Sequence, residues 1–158
     1  MNFSNRKNLR LSDYDYKRNG AYFLTVCTKD KKHILGKIVG GDAYIAPHIE
    51  LSEYGAVVEK YIKGIRGIDV YSIMPNHIHL IIRIGFDTDG TMWASSPTQS
   101  IPQLIKSFKT LVSKECGQTI FQRSYYDHII RNDADYLEKA NYILTNPAKW
   151  QEDEYFIQ

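Results

Sequence analysis

Apolar positions along the chain switch between a two-residue and a three-to-four-residue repeat, and each switch predicts a new element. "GAYFLTVCT", Gly20 to Thr28, is aromatic and β-branched and predicts a strand that begins after a glycine turn. "GKIVGGDAYIAPHIE" predicts a hairpin or turn with two glycines at its centre. In "SEYGAVVEKYIKGI", Ser52 is placed to cap a helix whose inner face carries Val57, Val58, Tyr61, Ile62 and Ile65. "DVYSIM" then reads as a strand leading into Pro75, and "HIHLIIRI" as its antiparallel neighbour across the tight Pro75-Asn76 connection. From Gly85 to Pro102 the composition turns to Asp, Gly, Thr, Ser and Pro, which predicts a long loop. "PQLIKSFKTLVSKECG" is a second amphipathic helix, with Leu104, Ile105, Phe108, Leu111 and Val112 inside, Lys106 and Lys109 outside, and Gly117 at its end. "TIFQRSYYDHIIRN" is strand-like, and "DADYLEKANYILTNP" predicts a third helix capped by Asp133 and stopped by Pro147.

Strand, helix, two strands, helix, strand, helix is an α+β order, and the architecture expected is a ferredoxin-like antiparallel sheet covered by helices. The 158 residues are read as one domain spanning residues 20–158, preceded by a basic segment, residues 1–19. No internal repeat, low-complexity tract or G-x-x-x-x-G-K phosphate loop is present.

Within the strand "HIHLIIRI", His77, His79, Ile81 and Arg83 share one face and Ile78, Leu80, Ile82 and Ile84 the other. The purely apolar face is the core side, which sets both imidazoles on the opposite, open face. There they either occupy a half-exposed sheet surface or hold a cation or phosphate between them.

The last helix contains a second anomaly. At about 100° per residue, Tyr136, Leu137, Ala140, Ile143 and Leu144 form an apolar arc, with Tyr142 nearly opposite among Asp135, Glu138, Lys139 and Asn146. Tyr142 is then either a surface tyrosine or a residue aimed at something else in the molecule. Same-face imidazoles and a phenol together suffice for phosphodiester cleavage, the metal on His77 and His79 polarising the phosphate and the phenol attacking phosphorus. Asn146, one turn on, supplies a third ligand. Two imidazoles and an amide suit zinc or manganese better than magnesium on softness grounds.

Charge and cysteine content narrow the setting. Net charge is only +2, but Arg6, Lys7, Arg10, Lys17 and Arg18 gather near the start, followed by Lys29, Lys31 and Lys32, whereas the last third carries acidic runs. A mild basic patch able to contact DNA is one reading of these clusters, and solvated loops the other. Twelve tyrosines can stack on unpaired bases or pack the core. Two cysteines are too few for a disulfide framework, and the opening residues lack the apolar stretch of a signal peptide. With no apolar run of membrane-spanning length, a cytoplasmic location without membrane contact is expected.

"MPNHIHLII" resembles the histidine-hydrophobic-histidine motif of the HUH single-strand nucleases, and "QRSYYDHIIRN" followed by "YILTNPAKW" resembles the REP-associated tyrosine transposases. "GAYFLTVCT" and "SPTQSIPQLIKSFKT" match the same layout, so the resemblance runs from about Arg10 to the C-terminus. It implies the HUH nuclease and transposase fold, Mg²⁺ or Mn²⁺ on His77 and His79, and Tyr142 as the residue that becomes joined to a DNA 5′ phosphate, with Asn146 as the polar residue one turn later. It further implies single-stranded, hairpin-bearing repeat DNA as substrate and strand transfer as the outcome, with assembly as a homodimer left open. Tyr125 and Tyr126, beside Asp127 and His128, are rival nucleophiles, and His128 either orients a ligand, touches metal or DNA, or is structural. Two other functions stay open: a catalytically idle DNA-binding domain of the same fold, and a metal hydrolase that activates water and needs no Tyr142.

Overall fold

The computed structural model describes residues 20–86, 92 and 99–157. Its elements are β1 (Gly20–Cys27), β2 (Gly36–Val39), β3 (His48–Leu51), α1 (Glu53–Lys63), β4 (Ile68–Met74), β5 (His77–Ile84), α2 (Ile101–Cys116), β6 (Tyr126–Ile130) and α3 (Asp133–Thr145), with a 3-10 stretch over Asn146–Glu152. β4, β5, β1 and β6 form an antiparallel sheet in that order, and β2 and β3 pair as a separate hairpin. Without the hairpin, the order strand, helix, two strands, helix, strand is the ferredoxin-like arrangement expected from the pattern.

The alternation in β5 divides the molecule into two layers. Ile78, Leu80, Ile82 and Ile84 join Tyr22, Leu24 and Val26 of β1 beneath α1 and α2, whose Val58, Ile62, Ile105, Phe108 and Val112 complete the main core. A smaller cluster of Phe23, Ile81, Ala140 and Ile143 lies on the opposite face, beneath α3. Both amphipathic helices end as their chemistry dictates: Ser52 Oγ accepts from the Gly55 N–H, Ser100 and Gln103 form a capping box, and Gly117 closes α2 in the left-handed conformation.

Local assignments differ in three places. Asn132, not Asp133, caps α3, its side chain accepting from the Asp135 N–H. On α2 the buried stripe is Ile101, Ile105, Phe108 and Val112, and Leu111 faces solvent. On α3, Leu137 and Leu144 are exposed, and the buried side runs through Ala140 and Ile143 to Asn146. The cause is two polar anchors that set the helix's rotation. His128 Nε2 lies 2.8 Å from the Asp135 carboxylate, and the Tyr136 hydroxyl donates at 2.8 Å to Asp69, which also takes the Arg83 guanidinium at 2.8 Å.

The basic segment, with Arg6, Lys7, Arg10, Lys17 and Arg18, lies outside the described residues, as does most of the Gly85–Pro102 stretch. Among the described residues no helix is long and apolar enough to cross a membrane, and Cys27 and Cys116 are free thiols.

Gly55 is where the hairpin's base meets α1. A Cβ there would overlap the Leu35 carbonyl oxygen, which cannot yield because it accepts the Ser52 N–H at 3.0 Å while the Leu35 N–H donates to Pro75 at 3.0 Å. Helix propensity favours alanine over glycine by roughly 1 kcal/mol, but backbone overlap in a packed site costs about 1–3 kcal/mol. Gly55→Ala is expected to lower unfolding free energy in a urea titration, whereas Gly64→Ala, whose Cβ would meet only ordinary contacts, changes it by no more than about 1 kcal/mol.

Candidate metal and nucleophile site

β5 is an inner strand, paired on both sides, so its side chains are fixed in register with their neighbours. His79 stands opposite Ser72 on β4 and Thr25 on β1, and Thr25 in turn stands opposite Tyr126 on β6. His77 pairs with Met74 and Cys27. The face predicted to be open is covered: His77 and His79 both have 0% exposure. The Tyr155 ring lies 4.7 Å from that of His77, Trp150 lies 5.9 Å from it, and Phe23 stacks on His79 at 5.4 Å. The chain after α3 folds back over the imidazoles, a return that strand alternation does not encode.

Buried imidazoles must have their ring nitrogens accounted for. The Asn76 amide donates through Nδ2 to the carbonyls of Tyr155 at 2.8 Å and Lys31 at 3.3 Å. That fixes its Oδ1 toward His77 Nδ1, at 2.8 Å, so Nδ1 carries the proton and the Nε2 lone pair faces inward. His79 Nδ1 meets Thr25 Oγ1 at 2.8 Å, and its Nε2 lies 3.0 Å from His77 Nε2. Burial pushes the His77 imidazole down to about 4, against the opposing pull of Asp153 and Asn146. Burial and then the neighbouring His77 lower His79 as well. Both rings are thus neutral at physiological pH, the form in which imidazole binds metals.

The group that completes the cluster is Asp153, which pattern reading left in an acidic run. Its side chain has 0% exposure, and Oδ2 lies 3.6 Å from His77 Nε2. It accepts the Asn146 Nδ2–H at 2.6 Å, and its Oδ1 accepts the Tyr155 N–H at 2.8 Å. One ligand atom each from His77, His79 and Asp153 lie within 4.8 Å of one another. Asn146 is 2% exposed and its Oδ1 has no hydrogen-bond partner, an orphaned buried acceptor near the His77 and His79 Nε2 atoms. Two imidazoles, a carboxylate and an amide oxygen fit a divalent cation. The carboxylate hardens the donor set relative to the two imidazoles and amide anticipated, and moves its preference from zinc toward manganese and magnesium. The sequence did carry one sign of Asp153's burial: Trp150 and Tyr155 flank it, and large aromatics seldom end an exposed acidic run.

Tyr142 lies at the margin of this cluster, 37% exposed. Its ring is 5.0 Å from that of His79 and 6.0 Å from Phe23, so it is neither opposite the sheet nor a free surface residue. It shares with His79, Tyr126 and Tyr155 a cavity of ≈ 450 Å³, and with Asn146 and Asp153 a second of ≈ 780 Å³. Burial, Asp153 and Glu154 push its phenol up to about 12, because each opposes a phenolate. Tyr125 is buried in the core on the other face, away from the histidines. His128 serves to hold α3 through Asp135 and contributes nothing to the ligand cluster.

No family model matches the chain. A Haemophilus influenzae protein named for the REP-associated tyrosine transposases is 26% identical over 148 residues, 88% of this chain and 77% of the relative. The REP-associated tyrosine transposase of Escherichia coli is 28% identical over 85 residues, 52% of this chain and 44% of its own. A solved REP-associated tyrosine transposase bound to a REP hairpin superposes with a TM-score of 0.60 at 20% identity, over 89% of this chain and 74% of that one. The chain is similar to the REP-associated tyrosine transposases over most of its length. The superposition extends the family likeness to the α+β fold, the four-stranded antiparallel sheet with its three helices.

Thr25 fixes the Nδ1 side of His79 by a hydrogen bond, and partners of this kind of a metal-binding histidine contribute about 10–100-fold to metal affinity. Thr25→Val, which keeps the shape and deletes the hydroxyl, is expected to weaken Mn²⁺ binding by about tenfold in an electron-paramagnetic-resonance titration, with the thermal unfolding of the metal-free protein little changed.

Proposed function

We propose that this protein is a transposase that cleaves single-stranded DNA and rejoins it through a covalent link to Tyr142. The observation that carries the reading is the approach of the Tyr142 ring to 5.0 Å from His79 at the edge of a buried cluster of two neutral imidazoles and a carboxylate. The names of the relatives support an enzyme of the transposase kind.

His77, His79, Asn146 and Asp153 would hold a divalent cation, Mg²⁺ or Mn²⁺, with Thr25 and Asn76 fixing the orientation of the two imidazoles. When bound, such a cation would polarise the scissile phosphate and favour the phenolate against the burial and the Asp153 and Glu154 charges that push the phenol up to about 12. Tyr142 Oη attacks phosphorus, forming the O–P bond of a 5′-phosphotyrosine as the bond to the departing 3′ oxygen breaks. The phenol proton leaves and the 3′ oxygen takes one up. Strand transfer reverses these bonds with another 3′-hydroxyl and regenerates the tyrosine.

The substrate proposed is single-stranded DNA flanking a hairpin. An unpaired strand reaches in-line geometry at a half-covered phenol more readily than a stacked duplex does. The superposed transposase was solved on a REP hairpin, which supports a folded repeat as the anchoring part of the substrate. Arg6, Lys7, Arg10, Lys17 and Arg18 are proposed to contact its phosphates.

Tyr142→Phe is expected to bind hairpin DNA as the parent does and to form no denaturation-resistant adduct with labelled DNA in Mn²⁺. A full adduct yield in that variant would overturn the assignment, and adduct formation by the parent excludes both the idle domain and the water-activating hydrolase.

Hairpin DNA with a single-stranded flank is expected to bind more tightly than matched duplex, with a steep salt dependence. Neutralising the five basic residues should flatten the log–log salt slope by roughly 0.7–0.9 per lost phosphate contact. Equal affinity for hairpin, single strand and duplex would show the substrate to be wrongly identified.

A further inference from the structure

Tyr126 takes no part in the chemistry above, yet it is an exposed aromatic beside the nucleophile. It is 45% exposed on β6, an edge strand of the sheet. Register puts it in the same transverse row as Thr25 and His79 and on the same face. Neighbouring strands are about 4.8 Å apart, so its backbone stands roughly 10 Å from that of His79. That is too far to replace Tyr142 at the cluster, and about the reach of one nucleotide.

Phe23 meets the Tyr126 ring edge-on at 6.4 Å and braces it. Both line the ≈ 450 Å³ cavity that also holds Tyr142. Its charged walls are Glu138, Glu154 and Lys139. Two carboxylates beside one ammonium give the walls little attraction for a phosphate of their own, whereas an uncharged ring can lie against Tyr126. Lys139 Nζ lies 5.6 Å from the Phe23 ring, where it can meet the backbone phosphate at the rim.

We infer that Tyr126 is a stacking platform for one unpaired nucleobase next to the scissile phosphate, making this cavity a base subsite. The inference rests on the single-strand cleavage proposed above. A base inside a duplex has both faces stacked, so the subsite takes an unpaired one and thereby fixes which phosphate lies before Tyr142. Tyr126 is thus a positioning residue.

The test uses the full chain and hairpin oligonucleotides with and without a single-stranded flank, 2-aminopurine replacing each flank base in turn. With the parent protein, quenching is expected at the base adjoining the cleavage point. Tyr126→Ala and Tyr126→Leu should each lose that quenching and weaken flank-dependent binding by roughly tenfold, with hairpin-only affinity unchanged. Tyr126→Phe should retain both. The leucine variant keeps apolar bulk on the edge strand, so its loss cannot be ascribed to unfolding if its thermal transition matches the parent's. Undiminished quenching and affinity in the leucine variant would overturn the subsite while leaving Tyr142 chemistry intact. A parent protein that forms no adduct with any flanked hairpin would instead remove the cleavage reading on which the subsite rests.

Discussion

The two-residue repeat of β5 is the constraint on which everything else rests. Because Ile78, Leu80, Ile82 and Ile84 are committed to the core beneath α1 and α2, His77 and His79 have no choice of face. Pairing on both flanks then removes rotation and slip, leaving the two Nε2 atoms 3.0 Å apart. A one-residue shift would bury imidazoles in the main core and expose its isoleucines, a loss of several buried side chains at about 1.5–3 kcal/mol each. The geometry of the candidate cation site therefore follows from ordinary hydrophobic packing.

α3 works under a different rule. Its apolar content is modest, and its rotation about its own axis follows from Tyr136 on Asp69 and Asp135 on His128 more than from burial. These polar contacts turn Leu137 and Leu144 outward, bring Asn146 inward and leave Tyr142 at the margin. Hydrophobic periodicity sees only the leucines, which is why it misjudges the helix. It does find Tyr142 unusual, since an aromatic off the apolar arc is not where packing alone would put one.

The elements and their order were legible because they are local: strand alternation, the Ser52 and Ser100 caps, the glycine that ends α2 and the proline that ends α3 each act within a few residues. The histidine pair was legible for the same reason, and Tyr142 and Asn146 through the helical spacing that joins them. Burial of the histidines and the approach of Asp153 were not, since both depend on the return of the final segment across the sheet. Its anchors are long-range: Asn76 bonds the Tyr155 carbonyl from 79 positions away. A short charged run such as "QEDE" has the same composition whether it is solvated or folded onto a ligand cluster.

That long-range anchoring also sets the order in which the centre can form. The β4–β5 hairpin that carries the imidazoles closes locally, with Met74 opposite His77, whereas the Asn146 and Asp153 oxygens reach them only after a far longer loop has closed, and long loops close more slowly than hairpins. Until then the chain offers two imidazoles and no carboxylate. An ion held by all of these groups would therefore act as a clasp, tying the final segment to β5.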